Sequence, residues 1–198
     1  MEFRLVETAS DPLAVFASWF DEAKTSELND PNAVALATAT LRGVPSVRMV
    51  LVKRVDERGF CFFTNVESRK GIELVENAQA AMCFHWKSLR LQVRVEGCVS
   101  ELSAAEAEEY FHSRSRRSQL GAAVSRQSRP LESRFVLQEM VRECEAAFPG
   151  VIPKPEYWRG FVLRPERIEF WQEGADRLHD RMLFVRSGEG WSKERLFP

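Results

Sequence analysis

The chain has little of what metal sites and nucleophilic enzymes usually need. It holds only three histidines and four cysteines among 198 residues. The cysteines, at positions 61, 83, 98 and 144, never adopt the C-x-x-C spacing typical of zinc sites and dithiol redox sites. We therefore expect no metal site, and reduced thiols of the kind found in cytoplasmic proteins.

Several catalytic motifs are also absent. The sequence contains no G-x-G-x-x-G, no Walker A loop, no G-x-S-x-G and no H-E-x-x-H. These absences argue against a Rossmann dinucleotide site, a P-loop enzyme, a hydrolase with a nucleophile elbow and a zinc protease. A chain with so few catalytic side chains commonly leaves the difficult chemistry to a bound cofactor.

Long apolar runs are missing as well. None reaches the ~20 residues of a membrane span. The first ten residues, MEFRLVETAS, carry acids and lack the apolar centre of a signal peptide. We expect a cytoplasmic protein with no membrane partner.

Net charge is small, but it is unevenly distributed. The chain carries a formal charge of −1. Between His112 and Arg134, however, six arginines face a single acid, Glu132: Arg114, Arg116, Arg117, Arg126, Arg129 and Arg134. This excess suits an anionic ligand, although a solvated basic face would look the same. RNA binding is disfavoured because the chain has two tyrosines and no aromatics interleaved with these arginines.

The hydrophobic pattern predicts a single domain over residues 1–198. A helix is expected at about 11–28. Strands are expected at 33–40, 46–55, 60–64, 79–86 and 91–99, with a hairpin turn at 56–59 and a short helix at about 68–76 whose apolar face is Ile72 and Val75. Helices are expected again at about 103–147: 104–111, with Ser103 and Glu106 as a capping box, then 118–124, and then 131–147, with an apolar stripe of Phe135, Met140, Val141 and Cys144. Strands return at 158–163, 167–172, 181–185 and 191–196. This order favours a mostly antiparallel β-barrel with peripheral helices, an α+β fold in which the helices form an insertion.

Two segments of the first half could hold a phosphorylated ligand. Arg48 to Lys53 is a strand with a cation at each end, and Ser68-Arg69-Lys70 opens a helix directly after a strand. Backbone N–H groups and the helix dipole favour an anion at such a helix start, and arginine can grip a phosphate with two hydrogen bonds. Solvated cations at a strand end and a helix start are the alternative interpretation.

These segments belong to a longer series of motifs. Besides Arg48–Lys53, Phe63-Thr64-Asn65 and Ser68–Lys70, the series contains Arg90-Leu91-Gln92-Val93, Tyr110–Arg114 with Ser118-Gln119, Val124–Ser128, Ile168–Gln172, Arg177–Arg181 and the terminal Arg195-Leu196-Phe197-Pro198. In this order they resemble the pyridoxamine 5'-phosphate oxidase family. The resemblance covers roughly Asp11 to Pro198.

The resemblance implies an FMN-binding split β-barrel that works as a homodimer, with FMN at the subunit interface. The residues it assigns to FMN are Arg48, Met49, Val50, Leu51, Val52, Lys53, Phe63, Thr64, Arg69, Lys70, Gln92, Gln127, Ser128, Trp171 and Arg181. Those it assigns to the substrate are Lys53, Tyr110, Arg114, Ser118, Arg177, Leu178 and His179. Lys53, Tyr110, Arg114 and Ser118 would hold a substrate phosphate, with donors that match a dianion.

Arg177 and His179 are the catalytic candidates that the resemblance implies, as residues facing the substrate's pyridine ring. The implied reaction is oxidation of pyridoxamine or pyridoxine 5'-phosphate to pyridoxal 5'-phosphate, with hydride transfer to flavin and reoxidation by O₂ to H₂O₂. We expect no obligate side-chain base, since alignment and electrostatics would be the protein's contribution.

Two alternatives stay open: a flavin oxidase of another ring, such as a phenazine precursor, and a non-catalytic protein that binds flavin or pyridoxal phosphate. The sequence also departs from some family members, which have a longer basic arm with a tyrosine that covers the substrate. Here Arg4 is the one basic residue among the ten before the first predicted helix. Closure of the site by such an arm is therefore in doubt.

Overall fold

The computed structural model describes residues 3–198. Its helices are α1 (Arg4–Thr8), α2 (Pro12–Ser26), α3 (Arg69–Glu76), α4 (Ala104–Ser113), α5 (Arg116–Val124) and α6 (Arg134–Ala147). Its strands are β1 (Ala33–Ala39), β2 (Pro45–Leu51), β3 (Arg54–Asp56), β4 (Gly59–Asn65), β5 (Gln79–Trp86), β6 (Leu91–Glu101), β7 (Trp158–Gln172), β8 (Asp180–Ser187) and β9 (Gly190–Arg195).

All nine strands join one antiparallel sheet in the order β2-β1-β5-β6-β7-β4-β3, and β8 and β9 extend it from β7. β7 is the branch point. Its first half pairs with β4 and its second half with β8, while β6 runs along nearly all of it. A register shift beside Gly97 lets the two long strands bend together.

The concave face of the sheet is filled by helix α2. Asp11 caps this helix by accepting a hydrogen bond from the Leu13 N–H at 2.9 Å, and Pro12 occupies the first helical position. Phe16 and Trp19 are fully buried, and Trp19 meets Phe170 edge to face at 5.1 Å. Burial of such aromatic side chains supplies much of the stabilisation that a barrel core offers.

Two strand predictions are wrong in detail. The run from Ser46 to Val55 is not one strand, because Val52 and Lys53 leave the β1–β2 ladder and their N–H groups donate to Asn32 O and Cys61 O. Conversely, the segments predicted at 158–163 and 167–172 form the single strand β7.

One predicted helix face is wrong, and another is right in part. Ile72 and Val75 were the expected apolar face of α3, yet both side chains are exposed, and Leu74 is buried instead. In the predicted stripe of α6, Val141 and Cys144 are partly buried and pack against a second core cluster, whereas Phe135 is 64% exposed. Which face of a short helix is covered depends on the sheet beneath it, and periodicity carries no information on that.

The segment before α2 is folded onto the end of the chain. α1 buries Val6 in the main core, and the Lys193 ammonium donates to backbone carbonyls of Glu7 and Ala9. Arg195 forms an ion pair with the Glu7 carboxylate. The sequence pattern predicted no structure here, since one helical turn becomes stable only through packing of this kind.

We expect Gly97→Ala to destabilise the fold, because a Cβ at this position would lie 2.0 Å from the Arg164 carbonyl oxygen in the bulge. A backbone clash of this type typically costs about 1–3 kcal/mol. Gly150→Ala is the matched control, since nothing lies within 4 Å of its added Cβ. Urea unfolding midpoints at one protein concentration would test the pair, and equal midpoints would contradict the prediction.

Candidate functional site

One large cleft, of about 690 Å³, collects most of the predicted ligand residues. It lies where the ends of β2 and β4 approach α3, α4, α5 and the start of β7. Its lining is Met49, Val50, Leu51, Lys53, Phe63, Thr64, Asn65, Lys70, Tyr110, Arg114, Ser115, Ser118, Gly121, Ala122, Ser125, Gln127 and Trp158.

An aromatic stack forms one wall of the cleft. The rings of Phe63 and Tyr110 are 4.1 Å apart, and Phe63 stacks on Trp158 at 5.3 Å. The Arg114 guanidinium lies over Trp158, 5.1 Å from the ring centroid. Its Nη1 atom is buried with no hydrogen-bond partner between residues 3 and 198, and burial lowers the pKa of Arg114. An unpaired buried donor is costly, so this position is built to receive an anion.

The start of α5 supplies hydroxyl donors beside Arg114. Ser115 caps the helix by accepting from the Ser118 N–H at 3.3 Å, and the two hydroxyl oxygens are 2.9 Å apart. Lys53 faces the same cleft from the β2–β3 connection. Lys53, Tyr110, Arg114 and Ser118, the predicted holders of a substrate phosphate, are therefore brought together in one cavity.

A second cationic group surrounds the start of α3. Ser68 caps this helix, and the Lys70 ammonium donates to Ser68 Oγ at 2.9 Å and to Gln127 Oε1 at 2.6 Å. Burial, helped by the nearby positive charge of Arg48, lowers the pKa of Lys70 to about 8. The cation is held at the helix end that prefers anions, so a ligand phosphate would relieve the unfavourable placement.

Arg48 and Arg69 flank this group. Nη1 of Arg48 donates to Thr38 Oγ1 at 2.6 Å and to Leu36 O at 3.1 Å, which anchors the guanidinium to strand β1. The Arg69 N–H donates to Ser128 Oγ at 3.2 Å. Arg69 and Ser128 line a smaller cavity of about 270 Å³ behind the main cleft.

The remaining predicted residues form a separate group at the far end of the sheet. Gln92, Trp171 and Arg181 are register partners on β6, β7 and β8, so their side chains share one face. Trp171 also contacts the His179 ring at 4.7 Å. Arg181 is held by the Glu169 carboxylate at 2.8 Å and by the Phe197 carbonyl at 2.8 Å.

Arg177 and His179 belong to this separate group at the far end of the sheet. They sit in a tight turn in which Arg177 has φ 63°, an unusual conformation for a residue with a side chain. His179 is fixed by the Gly174 N–H, which donates to its Nδ1 at 3.2 Å, and Leu178 is 71% exposed. The turn lines a cavity of about 380 Å³.

The two groups do not meet within the chain. Trp158 lies at the main cleft, and Trp171 lies in the group at the far end of the sheet. They are 171 − 158 = 13 residues apart on β7, a distance of up to about 40 Å along an extended strand. The main cleft and the cavity at the 174–179 turn share no lining residue. Val52 lies in neither, because its side chain is buried in the main core and only its backbone is left for a ligand.

Sequence reasoning missed several cleft residues, namely Asn65, Ser115, Gly121, Ala122, Ser125 and Trp158. Trp158 is the most consequential, because it supports both Arg114 and Phe63. It was predicted only as the start of a strand. Its position after a proline-rich connector was a weak signal, and these two partners lie 158 − 114 = 44 and 158 − 63 = 95 residues away in sequence.

No group of three or more His, Cys, Asp or Glu side chains within the described part of the chain is placed to hold a metal ion. Over the same residues, no helix combines the length and the apolar character that a membrane crossing requires.

Comparison with known families gives two matches that together span most of the chain. A family model described as pyridoxamine 5'-phosphate oxidase matches residues 20–147. A second, described as the pyridoxine 5'-phosphate oxidase C-terminal dimerisation region, matches residues 158–198.

Similar proteins carry the same description. The pyridoxine/pyridoxamine 5'-phosphate oxidase of Gluconobacter oxydans is 55% identical over 195 residues, 98% of each chain. That of Brucella anthropi is 58% identical over 193 residues, 96% of this chain and 95% of its own.

Solved structures show the same fold. PhzG from Burkholderia lata, in complex with tetrahydrophenazine-1-carboxylic acid, aligns with a TM-score of 0.94 at 31% identity, over 100% of this chain and 98% of its own. An FMN-binding protein related to pyridoxamine 5'-phosphate oxidase, from Nostoc punctiforme, aligns at 0.77 with 18% identity, over 96% and 99%. The expected split β-barrel with peripheral helices is thereby confirmed.

Lys70 should titrate near pH 8. Because the pKa of Lys70 is lowered to about 8, its side chain is mostly protonated below that pH and loses its positive charge as the pH rises through it. Anion affinity at this site should therefore fall above pH 8. NMR titration of lysine ¹³Cε signals would reveal the midpoint, with Lys70→Met identifying the resonance. Added phosphate should move the midpoint upward, and a lysine spectrum with no transition near pH 8 would contradict the assignment.

Proposed function

The chain belongs to the pyridoxamine 5'-phosphate oxidase family, and on that premise we propose that it oxidises pyridoxamine and pyridoxine 5'-phosphate to pyridoxal 5'-phosphate with FMN as cofactor. One observation carries the proposal. Lys70, from the cationic group at the start of α3, and Arg114 with its neighbours line one cleft, and among the described residues the buried Nη1 of Arg114 has no hydrogen-bond partner there. Two phosphates, one on the cofactor and one on the substrate, would satisfy both groups.

The cationic group at the start of α3 fits the phosphate of FMN. Arg48, Arg69 and Lys70 supply positive charge at the start of α3, and Ser128 lies beside Arg69. Thr64 and Gln127 line the adjoining cleft and offer hydrogen-bonding groups to a flavin ring. The edge of β2, with Met49 and Leu51 exposed, offers apolar contact to the same ring.

The group around Arg114 fits the substrate phosphate. Arg114 is held on Trp158 and Phe111, so its guanidinium is already oriented before a ligand arrives. Lys53, Tyr110 and Ser118 add an ammonium and two hydroxyl donors. This arrangement would fix the far end of the substrate and leave its pyridine ring free to lie against the flavin.

FMN, when bound, would accept the hydride from the substrate's C4′ carbon and return two electrons to O₂, which leaves as H₂O₂. For pyridoxamine 5'-phosphate, the imine so formed takes up water and releases ammonia. The side chains contribute alignment, water exclusion and charge rather than an obligate base. Arg177 and His179 would cover and orient the pyridine ring.

A second copy of the chain would complete the site. Gln92, Trp171, Arg177, His179 and Arg181 are remote from the cleft in one chain, and the match to a dimerisation region covers four of these five residues. The sheet face beside the cleft is also apolar, with Val47, Met49 and Leu51 exposed. We therefore propose a homodimer in which the far-end group of each chain completes the cleft of its partner.

The likeness to PhzG favours a second candidate, an oxidase of a tetrahydrophenazine-type ring. Identity is lower in that comparison, 31% against 55% and 58%. A ring substrate without a phosphate would also leave Arg114 and its neighbours without an anion. Turnover of tetrahydrophenazine-1-carboxylic acid, measured beside pyridoxamine 5'-phosphate, decides between the two.

The decisive experiment adds FMN to purified protein and then the substrate. We expect a bound flavin spectrum, flavin bleaching by pyridoxamine 5'-phosphate without air, and pyridoxal 5'-phosphate with one H₂O₂ per turnover in air. A protein that binds FMN but releases no peroxide would be a non-catalytic binding protein. One that takes up no FMN would refute the proposal.

Arg114→Met should lower kcat/KM for pyridoxamine 5'-phosphate by about 10–100-fold, the usual value of a charge-assisted hydrogen bond. Bound flavin should be retained, and the rate with unphosphorylated pyridoxamine, which offers Arg114 no anion, should change little. Arg117→Met is the matched control, since Arg117 lies three residues further along, on α5, is exposed and does not line the cleft. Equal losses on both substrates would place Arg114 outside the phosphate site.

Arg177→Ala should lose most turnover while keeping yellow FMN. Full activity of this variant would remove Arg177 from the mechanism.

A dimer carrying Arg114→Met in one chain and Arg177→Ala in the other, purified through two tags, tests the shared site. One of its two clefts would be intact, so about half of wild-type activity is expected. If each chain instead builds its own site, the mixed dimer should be as inactive as the two parent variants.

A further inference from the structure

A buried carboxylate lies directly behind the proposed FMN phosphate site and has no part in the chemistry above. Glu73, on α3, is 3% exposed. Its Oε2 accepts hydrogen bonds from the Thr38 and Ser46 hydroxyls, each at 2.5 Å. Its Oε1 accepts from Nε of Arg69 at 2.9 Å. Both carboxylate oxygens are thus used, by residues from β1, β2 and its own helix.

Glu73 is ionised in this setting. Burial by itself would raise the pKa of the carboxyl group, but the hydrogen bonds from Ser46, Thr38 and Arg69 outweigh that effect and bring the pKa to about 2. A buried charge of this kind is tolerated only when it is paired and hydrogen-bonded. Its partners are therefore held in place as firmly as it is.

The partners are the cations assigned to the phosphate. Arg48 Nη2 lies 3.5 Å from Glu73 Oε2, and its other nitrogen is tied to Thr38, which is itself bound to Glu73. Burial lowers the pKa of Arg48, the charge and hydrogen bonding of Glu73 act in the opposite direction, and the charge of Arg69 adds a smaller lowering. Without an anion between them, the two guanidinium groups would repel each other.

The charges also balance. Arg48, Arg69 and Lys70 sum to three positive charges, and Glu73 reduces the sum to two. A phosphate monoester carries close to two negative charges at pH 7. The site is therefore neutral with the phosphate bound, and before binding it is less self-repulsive than three bare cations would be.

We propose that Glu73 is a positioning residue for the FMN phosphate: it fixes the guanidinium groups of Arg48 and Arg69 and sets the charge of the subsite to match a dianion. This inference rests on the proposed function, since it takes FMN as the ligand. Pre-orienting the two arginines lowers the entropy lost when the phosphate binds, because Arg69 is otherwise a largely exposed, flexible side chain.

The test compares FMN with riboflavin, which lacks the phosphate, by quenching of flavin fluorescence on titration of flavin-free protein. Glu73→Ala should weaken FMN binding about tenfold, the effect of a lost orienting contact worth ~1.4 kcal/mol, and leave riboflavin binding within twofold. Glu73→Gln keeps an acceptor oxygen but not the charge, so it should lie between Ala and wild type. Glu143→Ala, an exposed glutamate on α6 that lines neither the main cleft nor the cavity at Arg69, is the control and should match wild type.

A double-mutant cycle sharpens the result. Arg69→Met should weaken FMN binding in the wild type but add little to Glu73→Ala, because an unanchored arginine has already lost most of its effect. Additive losses would mean that Glu73 acts without Arg69. A purely structural role predicts equal losses of FMN and riboflavin, and that outcome would overturn the proposal.

Tighter FMN binding by Glu73→Gln would also overturn it, since the carboxylate would then only oppose the phosphate. Should Glu73→Ala fail to fold by circular dichroism, the Gln variant decides through the same FMN-to-riboflavin ratio. Wild-type protein that binds neither flavin would refute the proposed function itself. Wild-type FMN binding that the Glu73 variants leave unchanged would refute this inference alone.

Discussion

The continuous pairing of β7 determines where every part of the site lies. This strand is hydrogen-bonded to β6 along nearly its whole length, to β4 over its first half and to β8 over its second. Trp158 at one end supports Arg114 in the cleft, and Trp171 at the other carries the His179 contact. Because a strand is stiff and extended, these two ends cannot close on one ligand within a chain. In the proposed homodimer, the cleft of one chain and the far-end group of its partner would therefore form one site.

The two proposed phosphate positions are built by different physical means. At Arg114 the guanidinium is oriented by aromatic rings, which hold a cation without neutralising it, so its full charge faces the ligand. At α3 the arginines are oriented by a carboxylate, which holds them more rigidly but cancels one charge. The first arrangement would suit the proposed substrate, which must come and go. The second would suit the proposed cofactor, which stays bound, since rigidity favours slow release.

The sequence predicted well those features that depend on neighbours along the chain. The capped start of α3, the Asp56–Gly59 hairpin and the capping box of Ser103 and Glu106 are each set within a few residues, and the structure contains all of them. The site residues came from the order of motifs, and the structure brings eight of the fifteen proposed FMN residues into one cleft: Met49, Val50, Leu51, Lys53, Phe63, Thr64, Lys70 and Gln127. Their roles remain predictions that ligand binding must test.

What the sequence could not show are contacts made across the fold. Glu73 reads locally as one acid on an amphipathic helix, yet its hydroxyl partners lie 35 and 27 residues away on β1 and β2. The face of α3 was assigned wrongly for the same reason: the helix turns Glu73 inward, toward these hydroxyls and arginines, and leaves Ile72 and Val75 outside. Periodicity ranks side chains by hydrophobicity, whereas this helix is oriented by a buried ion pair. A polar network can override an apolar face only where every charge in it is paired, and that condition is met here by residues from three separate elements.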